Sequence, residues 1–298
     1  MTAPLQQGLV IAAFGKRYDV GLACGSVISC VTRGKKSELA CGDRVAIRAT
    51  GPNEGVVEQT EPRSSLLYRS DSYRSKLLAA NVTQIVIVLA AKPSYYEELL
   101  SRCLLAAETT AIRALILLNK ADLPETATAL AELRRYEQLG YPLLTLSAKQ
   151  DVTPLLPWLT GQTSVLVGQS GMGKSTLVNK LLPDEDVRTR EISSVLDSGK
   201  HTTTAAHLYY LNATSHLIDS PGLQEFGLAH LDLDEIQQAF IEFRPFLGKC
   251  RFNNCRHFKE PDCAVRQATE QGLIAEQRLL CYHGLVQEIS SRNTLLYS

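Results

Sequence analysis

The sequence has no excess of either charge: 31 Lys+Arg balance 31 Asp+Glu over 298 residues. Global charge therefore does not announce a nucleic-acid binder, although local patches still can. No apolar run reaches the roughly 20 residues that a membrane-spanning helix needs, so no membrane partner is expected. Residues 1–7 have neither a basic start nor an apolar core, and no secretion signal is visible. There is no disulfide framework either. Cys24, Cys30, Cys41, Cys103 and Cys281 are scattered and read as small buried hydrophobes. A reducing, cytoplasmic compartment fits these absences. The length suggests two or three domains with a real core.

What is present centres on Gly168-Gln169-Ser170-Gly171-Met172-Gly173-Lys174-Ser175-Thr176, which fits the phosphate-binding pattern G-x-x-x-x-G-K-[ST]. The apolar run Ser164 to Val167 reads as the strand before it, and Thr176 to Leu182 as the helix after it. Glycines let backbone N–H groups close around phosphate oxygens, and the helix N-terminus adds partial positive charge. Lys174 would reach the β- and γ-phosphates and the Ser175 hydroxyl would hold magnesium.

Residues 8 to about 75 read as short strands and turns: 8–13, 24–31, 42–47 and 55–59, with 33–37 as a polar hairpin. A five-stranded OB-type barrel suits the length, and such barrels often bind oligonucleotides. Arg33, Lys35, Lys36, Arg44 and Arg48 would supply phosphate contacts, or else form a solvated basic edge that discourages sheet-to-sheet pairing. A linker starts at Pro62-Arg63-Ser64-Ser65. Then apolar runs at 82–90, 114–118, 143–146 and 164–167 alternate with helical stretches at 95–109 and 125–139. That alternation predicts right-handed crossovers in a doubly wound parallel sheet, whose ligands bind at the carboxyl ends of the strands.

Those strand ends carry chemistry. Asn119-Lys120-Ala121-Asp122 is the N-K-x-D pattern of guanine recognition. The Asp122 carboxylate accepts from guanine N1–H and the 2-amino group, donors that adenine does not offer as a pair. Asn119 would tie the loop together and Lys120 cover the base plane. Ser147-Ala148-Lys149 supplies a backbone N–H for guanine O6. Beyond the phosphate loop, Asp219-Ser220-Pro221-Gly222 gives D-x-x-G: Asp219 would act on magnesium through water, and the Gly222 N–H would sense the γ-phosphate. Between them lies His201-Thr202-Thr203-Thr204, where Thr203, with Thr204 as the alternative, would complete the magnesium shell.

Ordinary GTPases run phosphate loop, Thr switch, D-x-x-G, N-K-x-D, S-A-K. Here the base-reading motifs come first, so the GTPase domain is circularly permuted, as neighbouring termini in compact domains allow. D-x-x-G then leads straight into the C-terminal region. The Gln that orients the attacking water in many GTPases is missing: Leu223 stands there, with Gln224 one residue late. His201 is the substitute able to orient or polarise the water; otherwise it is an exposed loop histidine. Slow intrinsic turnover, accelerated by a partner that orders the switch, is expected.

Near the end, Cys250, Cys255, His257 and Cys263 form a Cys₃His set suited to one closed tetrahedral zinc. A disulfide with a spare thiol, or buried cysteines, are the alternatives. Arg244, Lys249, Arg251, Arg256 and Lys259 occur between Phe243 and Lys259 with no acidic residue in that span, interleaved with Phe246, Phe252 and Phe258. That suits an RNA-facing knuckle, or aromatics packing a metal-nucleated core. Helices are expected over 234–243, 265–271 and 274–289.

With these motifs in place the chain resembles the RsgA family, the bacterial circularly permuted GTPases of small ribosomal subunit biogenesis. The resemblance also takes in Gly8-Leu9-Val10, Gly42-Asp43-Arg44-Val45 and Glu260-Pro261-Asp262-Cys263-Ala264-Val265. It implies an OB barrel over 1–75, a permuted GTPase domain over 76–227 and a helical zinc-binding domain over 228–298. It further implies GTP/GDP with magnesium, a structural zinc, and binding to the small ribosomal subunit and its rRNA. A monomer is expected, with hydrolysis stimulated by the subunit and coupled to release late in maturation. His201 matches the family's proposed catalytic histidine. Two features depart: the basic N-terminal extension of some members is nearly absent, and Asp262 stands where Gly is common. A non-catalytic GTP-gated rRNA-binding switch and an ATPase are the competing readings.

Overall fold

The computed structural model describes residues 4–34, 38–71, 74–182, 206–219, 228 and 231–296. The first five strands are β1 (Leu5–Phe14), β2 (Arg17–Leu22), β3 (Val27–Thr32), β4 (Arg44–Ala49) and β5 (Glu54–Thr60). Their pairing runs β1-β2-β3-β5-β4 and returns from β4 to β1, closing a five-stranded OB-like barrel. Inward residues alternate along the strands, and Val10, Tyr18, Val20, Ile28, Val45, Ile47 and Val57 fill the interior. Register shifts at Val10/Ala12 and Ala46/Ile47 bend the strands around the closure.

The barrel differs from the sequence expectation in two places. β2 carries no clear strand signal, because Arg17-Tyr18-Asp19-Val20-Gly21 mixes charge and glycine with its apolar residues. The hairpin expected at 33–37 falls mostly outside the described residues, and the strands flanking it are not neighbours: β3 pairs with β5 in parallel, and β4 lies between β5 and β1. A further hairpin, β6 (Leu66–Asp71) with β7 (Arg74–Ala80), occupies the stretch following the expected linker start. Arg63 fastens the barrel to this hairpin's root. Its guanidinium donates to both oxygens of the fully buried Asp43, each at 2.7 Å.

The second body is a sheet of order β10-β9-β8-β11-β13-β12. Its strands are β8 (Gln84–Ala90), β9 (Arg113–Asn119), β10 (Leu143–Thr145), β11 (Thr163–Val167), β12 (His207–Tyr210) and β13 (His216–Asp219). All pairs are parallel except β12 with β13. Every residue of β8 is buried, as a strand covered on both faces requires. Helices α1 (Glu97–Thr110), α2 (Thr126–Gln138), the short α3 (Leu156–Leu159) and α4 (Lys174–Leu181) connect the strands. The barrel and the sheet meet through β1, where Ala12 pairs with His207 of β12.

The C-terminal part is helical: α5 (Leu233–Ala239), α6 (Ala264–Glu270) and α7 (Glu276–Leu296). A capping box starts α5, with Asp232 Oδ1 accepting from Glu235 N and Glu235 Oε2 from Asp232 N, both at 2.8 Å. α5 stops at Ala239, short of the expected 243, and turns carry Phe240 and Phe243 into the core. α7 docks on the sheet's α1 through Arg278, only 1% exposed. It donates to Glu242 Oε1 at 2.5 Å and Ser101 Oγ at 2.9 Å and lies over the Phe240 ring. A charge this buried is tolerated because its partners are in place.

Candidate functional site

Three loops converge at the carboxyl ends of β9, β10 and β11. The loop after β11 is shaped by glycines that cannot be replaced cheaply. Gly168 has φ +154° and a Cβ there would meet Val88 O at 2.3 Å; Gly173, at φ +92°, starts α4 and would drive a Cβ into Asn119 Nδ2 at 2.4 Å. Lys174 Nζ donates back to Gly168 O at 2.6 Å and Gln169 O at 2.8 Å, so the ammonium spans the loop. Burial lowers its pKa, against an upward pull from Asp219. Ser175 is exposed and Thr176 half-buried on the first turn of α4, while Met172 is fully buried beneath the loop. Gln169, Ser170 and Gly171 form its outer edge.

Asn119, 2% exposed at the end of β9, joins all three loops. Its Nδ2 donates to Met172 O at 2.9 Å, and its Oδ1 accepts from Ala148 N at 2.9 Å. Asp122 is exposed beside Ser147, whose Oγ donates to Asp122 Oδ1 at 2.5 Å. That hydrogen bond, with further help from the backbone and nearby lysines, holds the Asp122 carboxyl below its ordinary range. Lys120 sits in the left-handed region (φ +61°) and donates from Nζ to Lys92 O at 2.7 Å. Ser147 and Ala148 are buried and Lys149 is exposed. Asp219 ends β13 in register with Leu166 of β11, beside the strand that feeds the phosphate loop. His201, Thr202, Thr203, Thr204 and Gly222 lie outside the described residues.

A fourth loop carries no recognisable motif in the sequence. Residues 91–96, after β8, lie against the phosphate loop: Tyr96 N donates to Gln169 Oε1 at 2.6 Å, and a Cβ on Gly171 would stand 3.2 Å from Pro93 Cγ. Its only sequence signal was its place at the carboxyl end of a parallel strand.

The second constellation is the cysteine cluster. The donor atoms of Cys250, Cys255, His257 and Cys263 all lie within 4.8 Å of one another. Cys250 Sγ is 3.9 Å from Cys263 Sγ, and His257 Nδ1 is 3.6, 3.5 and 3.3 Å from Cys250, Cys255 and Cys263. A tetrahedron with zinc–sulfur bonds of about 2.3 Å has edges of about 3.8 Å, shorter to nitrogen, so the set fits a structural zinc. All eight cysteines are free thiols, which removes the disulfide alternative. Burial pushes the Cys255 thiol up to about 12, a cost that coordination to a divalent cation reverses. His257 Nε2 donates to Gln237 Oε1 at 2.9 Å, which leaves Nδ1 as the ligand atom.

Two residues shape this knuckle without being ligands. Glu260 accepts from the backbone N–H groups of Arg256, Phe258 and Lys259 at 2.8–3.0 Å. Burial alone would raise its carboxyl, but those bonds outweigh burial and hold it low. Asp262 has φ +53°, a conformation that glycine adopts freely and aspartate tolerates, and it pairs with Arg251 at 3.2 Å. The aromatics divide. Phe252 is 42% exposed with Arg251 over its ring, whereas Phe258 stacks on His283 and Phe246 packs on the core. Arg244 is tied to Glu108 of α1 at 2.8 Å, and Lys249, Arg256 and Lys259 face solvent. On the barrel, Arg33 and Arg48 share Glu58 at 2.8 and 3.0 Å; Arg44 is exposed, and Lys35 and Lys36 lie outside the described residues.

Comparison with known proteins agrees with this architecture. The family model for the RsgA GTPase matches residues 60–229. The small ribosomal subunit biogenesis GTPase RsgA of Nitrosospira multiformis is 51% identical over 292 residues, covering 98% of this chain and 93% of that protein. Its counterpart in Nitrosomonas europaea is 53% identical over 284 residues, covering 94% and 90%. Among solved structures, YjeQ from Thermotoga maritima aligns with a TM-score of 0.73 at 28% identity, over 96% of this chain and 99% of that one. YloQ, a circularly permuted GTPase, aligns at 0.70 and 27% identity, over 97% and 96%. With a family model spanning more than half of the chain, and half-identical relatives matched almost end to end, the chain belongs to the RsgA GTPase family.

Proposed function

We propose that this chain hydrolyses GTP while bound to the small ribosomal subunit and its rRNA, late in the subunit's maturation, with hydrolysis stimulated there and coupled to release. The observation that carries the nucleotide part is the Asn119 joint, which fixes the phosphate loop through Met172 O and the Ser147-Ala148-Lys149 loop through Ala148 N. Base and phosphates are thus gripped by loops at one fixed spacing. Asp122 reads the guanine edge, Lys120 covers the base plane, and the Ala148 region meets O6. Residues 168–176 cradle the phosphates, with Lys174 neutralising charge that develops on the transferred group.

Magnesium with GTP would be held by the Ser175 and Thr203 hydroxyls and, through water, by Asp219, and would neutralise phosphate charge. The Gly222 N–H senses the γ-phosphate and His201 orients the attacking water. Cys250, Cys255, His257 and Cys263 hold zinc and present the basic, Phe252-bearing knuckle to RNA. The working division is a barrel over 1–75, a GTPase domain over 76–227 and a zinc domain over 228–298. The protein acts as a cytoplasmic monomer. No helix among the described residues is long and apolar enough to cross a membrane.

Single-turnover hydrolysis with and without purified small subunits tests this reading. Phosphate release is expected to accelerate with subunits, and His201→Ala to abolish the acceleration while leaving GTP binding intact. No acceleration would leave a GTP-gated binding switch as the better account.

A further inference from the structure

Residues 91–96 are held at both ends by the nucleotide loops. At its C-terminal end Tyr96 N donates to Gln169 Oε1 at 2.6 Å, and nearer its start Pro93 lies close over Gly171, so the segment rests along the phosphate loop. At the other end Lys92 O accepts from Lys120 Nζ at 2.7 Å, and Lys92 Nζ pairs with Glu125, the residue preceding α2. Between these anchors Tyr95 packs in the core and its hydroxyl reaches Glu132 of α2. Gln169 is the phosphate-loop residue whose side chain leaves the loop to bind this segment.

We infer that residues 91–96 act as a strap that sets the distance between the phosphate loop and the base loop, with Gln169 as its positioning residue. This rests on the nucleotide reading above and adds to it an element outside the recognised motifs. The carbonyl of Lys92 claims the Lys120 ammonium, which lays the lysine stem across the base side. The Gln169 side chain claims the strap's far end. Asn119 braces the same two loops from beneath, and the strap braces them at the mouth. A ligand spanning both loops benefits from that fixed spacing, because preorganisation removes the ordering cost of binding. A ligand that touches one loop alone gains nothing from it.

The test follows from that difference. Dissociation constants for GDP, guanosine and inorganic pyrophosphate are measured on the full chain with magnesium. Gln169→Met removes the acceptor but keeps the size. Losing one such hydrogen bond should weaken GDP roughly tenfold, with guanosine changing less than about twofold and pyrophosphate weakened clearly less than GDP. Unchanged GDP affinity, or pyrophosphate weakened as much as GDP, overturns the inference. Wild-type protein that binds no GDP would instead sink the nucleotide reading. If Gln169→Met fails to fold, Glu125→Gln releases the exposed other end; an exposed pair is worth less, so about threefold on GDP alone is expected, and no loss overturns the strap.

Discussion

The nucleotide end of the sheet and the zinc knuckle are both small loop-built sites, yet they are held in opposite ways. The nucleotide loops hang from parallel strands whose residues, Ile85 to Leu89 and Val165 to Val167, are almost fully buried. Their shape is set by backbone conformation at Gly168 and Gly173 and by Asn119 between two main-chain partners. Among the described residues the knuckle has no strand beneath it. Turns from Phe240 to Cys263 wrap His257, whose ring meets Phe243 and Tyr282 at 6.3 and 5.9 Å, and the four donor atoms gather at its centre, with Glu260 and the Arg251–Asp262 pair tying the turns around them. One site is preorganised by the sheet. The other gathers a donor set that fits a structural zinc, and zinc bound there would couple its binding energy to folding.

That contrast can be broken most directly by removing the metal. Structural zinc contributes about 10–16 kcal/mol in small modules, so chelation or Cys263→Ser should abolish amide-exchange protection over residues 240–275. Protection in β8, β9 and β11 should persist; equal loss in both regions would erase the distinction. Gly168→Ala attacks the other side: with Val88 O in the way and φ positive, it should cost about 4 kcal/mol in a denaturant titration and eliminate GDP binding, with zinc content unchanged. Asn119→Ala strands Met172 O and Ala148 N and should cost about 3 kcal/mol, again with a full zinc load. The smallest effect sharpens the knuckle's description. Glu260→Gln keeps the shape but weakens three charge-assisted bonds, for about 1 kcal/mol, seen as faster zinc loss to a chelator and no change in GDP affinity.

The same contrast explains what could be read in advance. The parallel sheet was legible because a strand buried on both faces, such as β8, leaves an uninterrupted apolar run. The permutation was legible because Asn119-Lys120-Ala121-Asp122 precedes Gly168 in the chain. The barrel was legible in outline and blurred in detail. β2 hides behind Arg17 and Asp19, and the β6–β7 hairpin lies in a serine-rich stretch that resembles linker. Side-chain ties across the chain left no local trace. The Asp43–Arg63 pair, the Gln237–His257 bond, Glu260 under its loop and Arg278 against Ser101 join residues of unremarkable type, and only the fold brings them together.

The strand order has a consequence for how the chain is made. β11 sits between β8 and β13, yet it emerges after β8, β9 and β10. A growing chain therefore exposes the β8 edge, with Ile85 to Leu89 unpaired on one side, until the phosphate-binding half is synthesised. An apolar edge strand awaiting its neighbour is an aggregation template. Permutation thus makes the base-reading half of the sheet an obligate nascent intermediate, and chains stalled before residue 163 should engage holdase chaperones more strongly than chains released beyond residue 219.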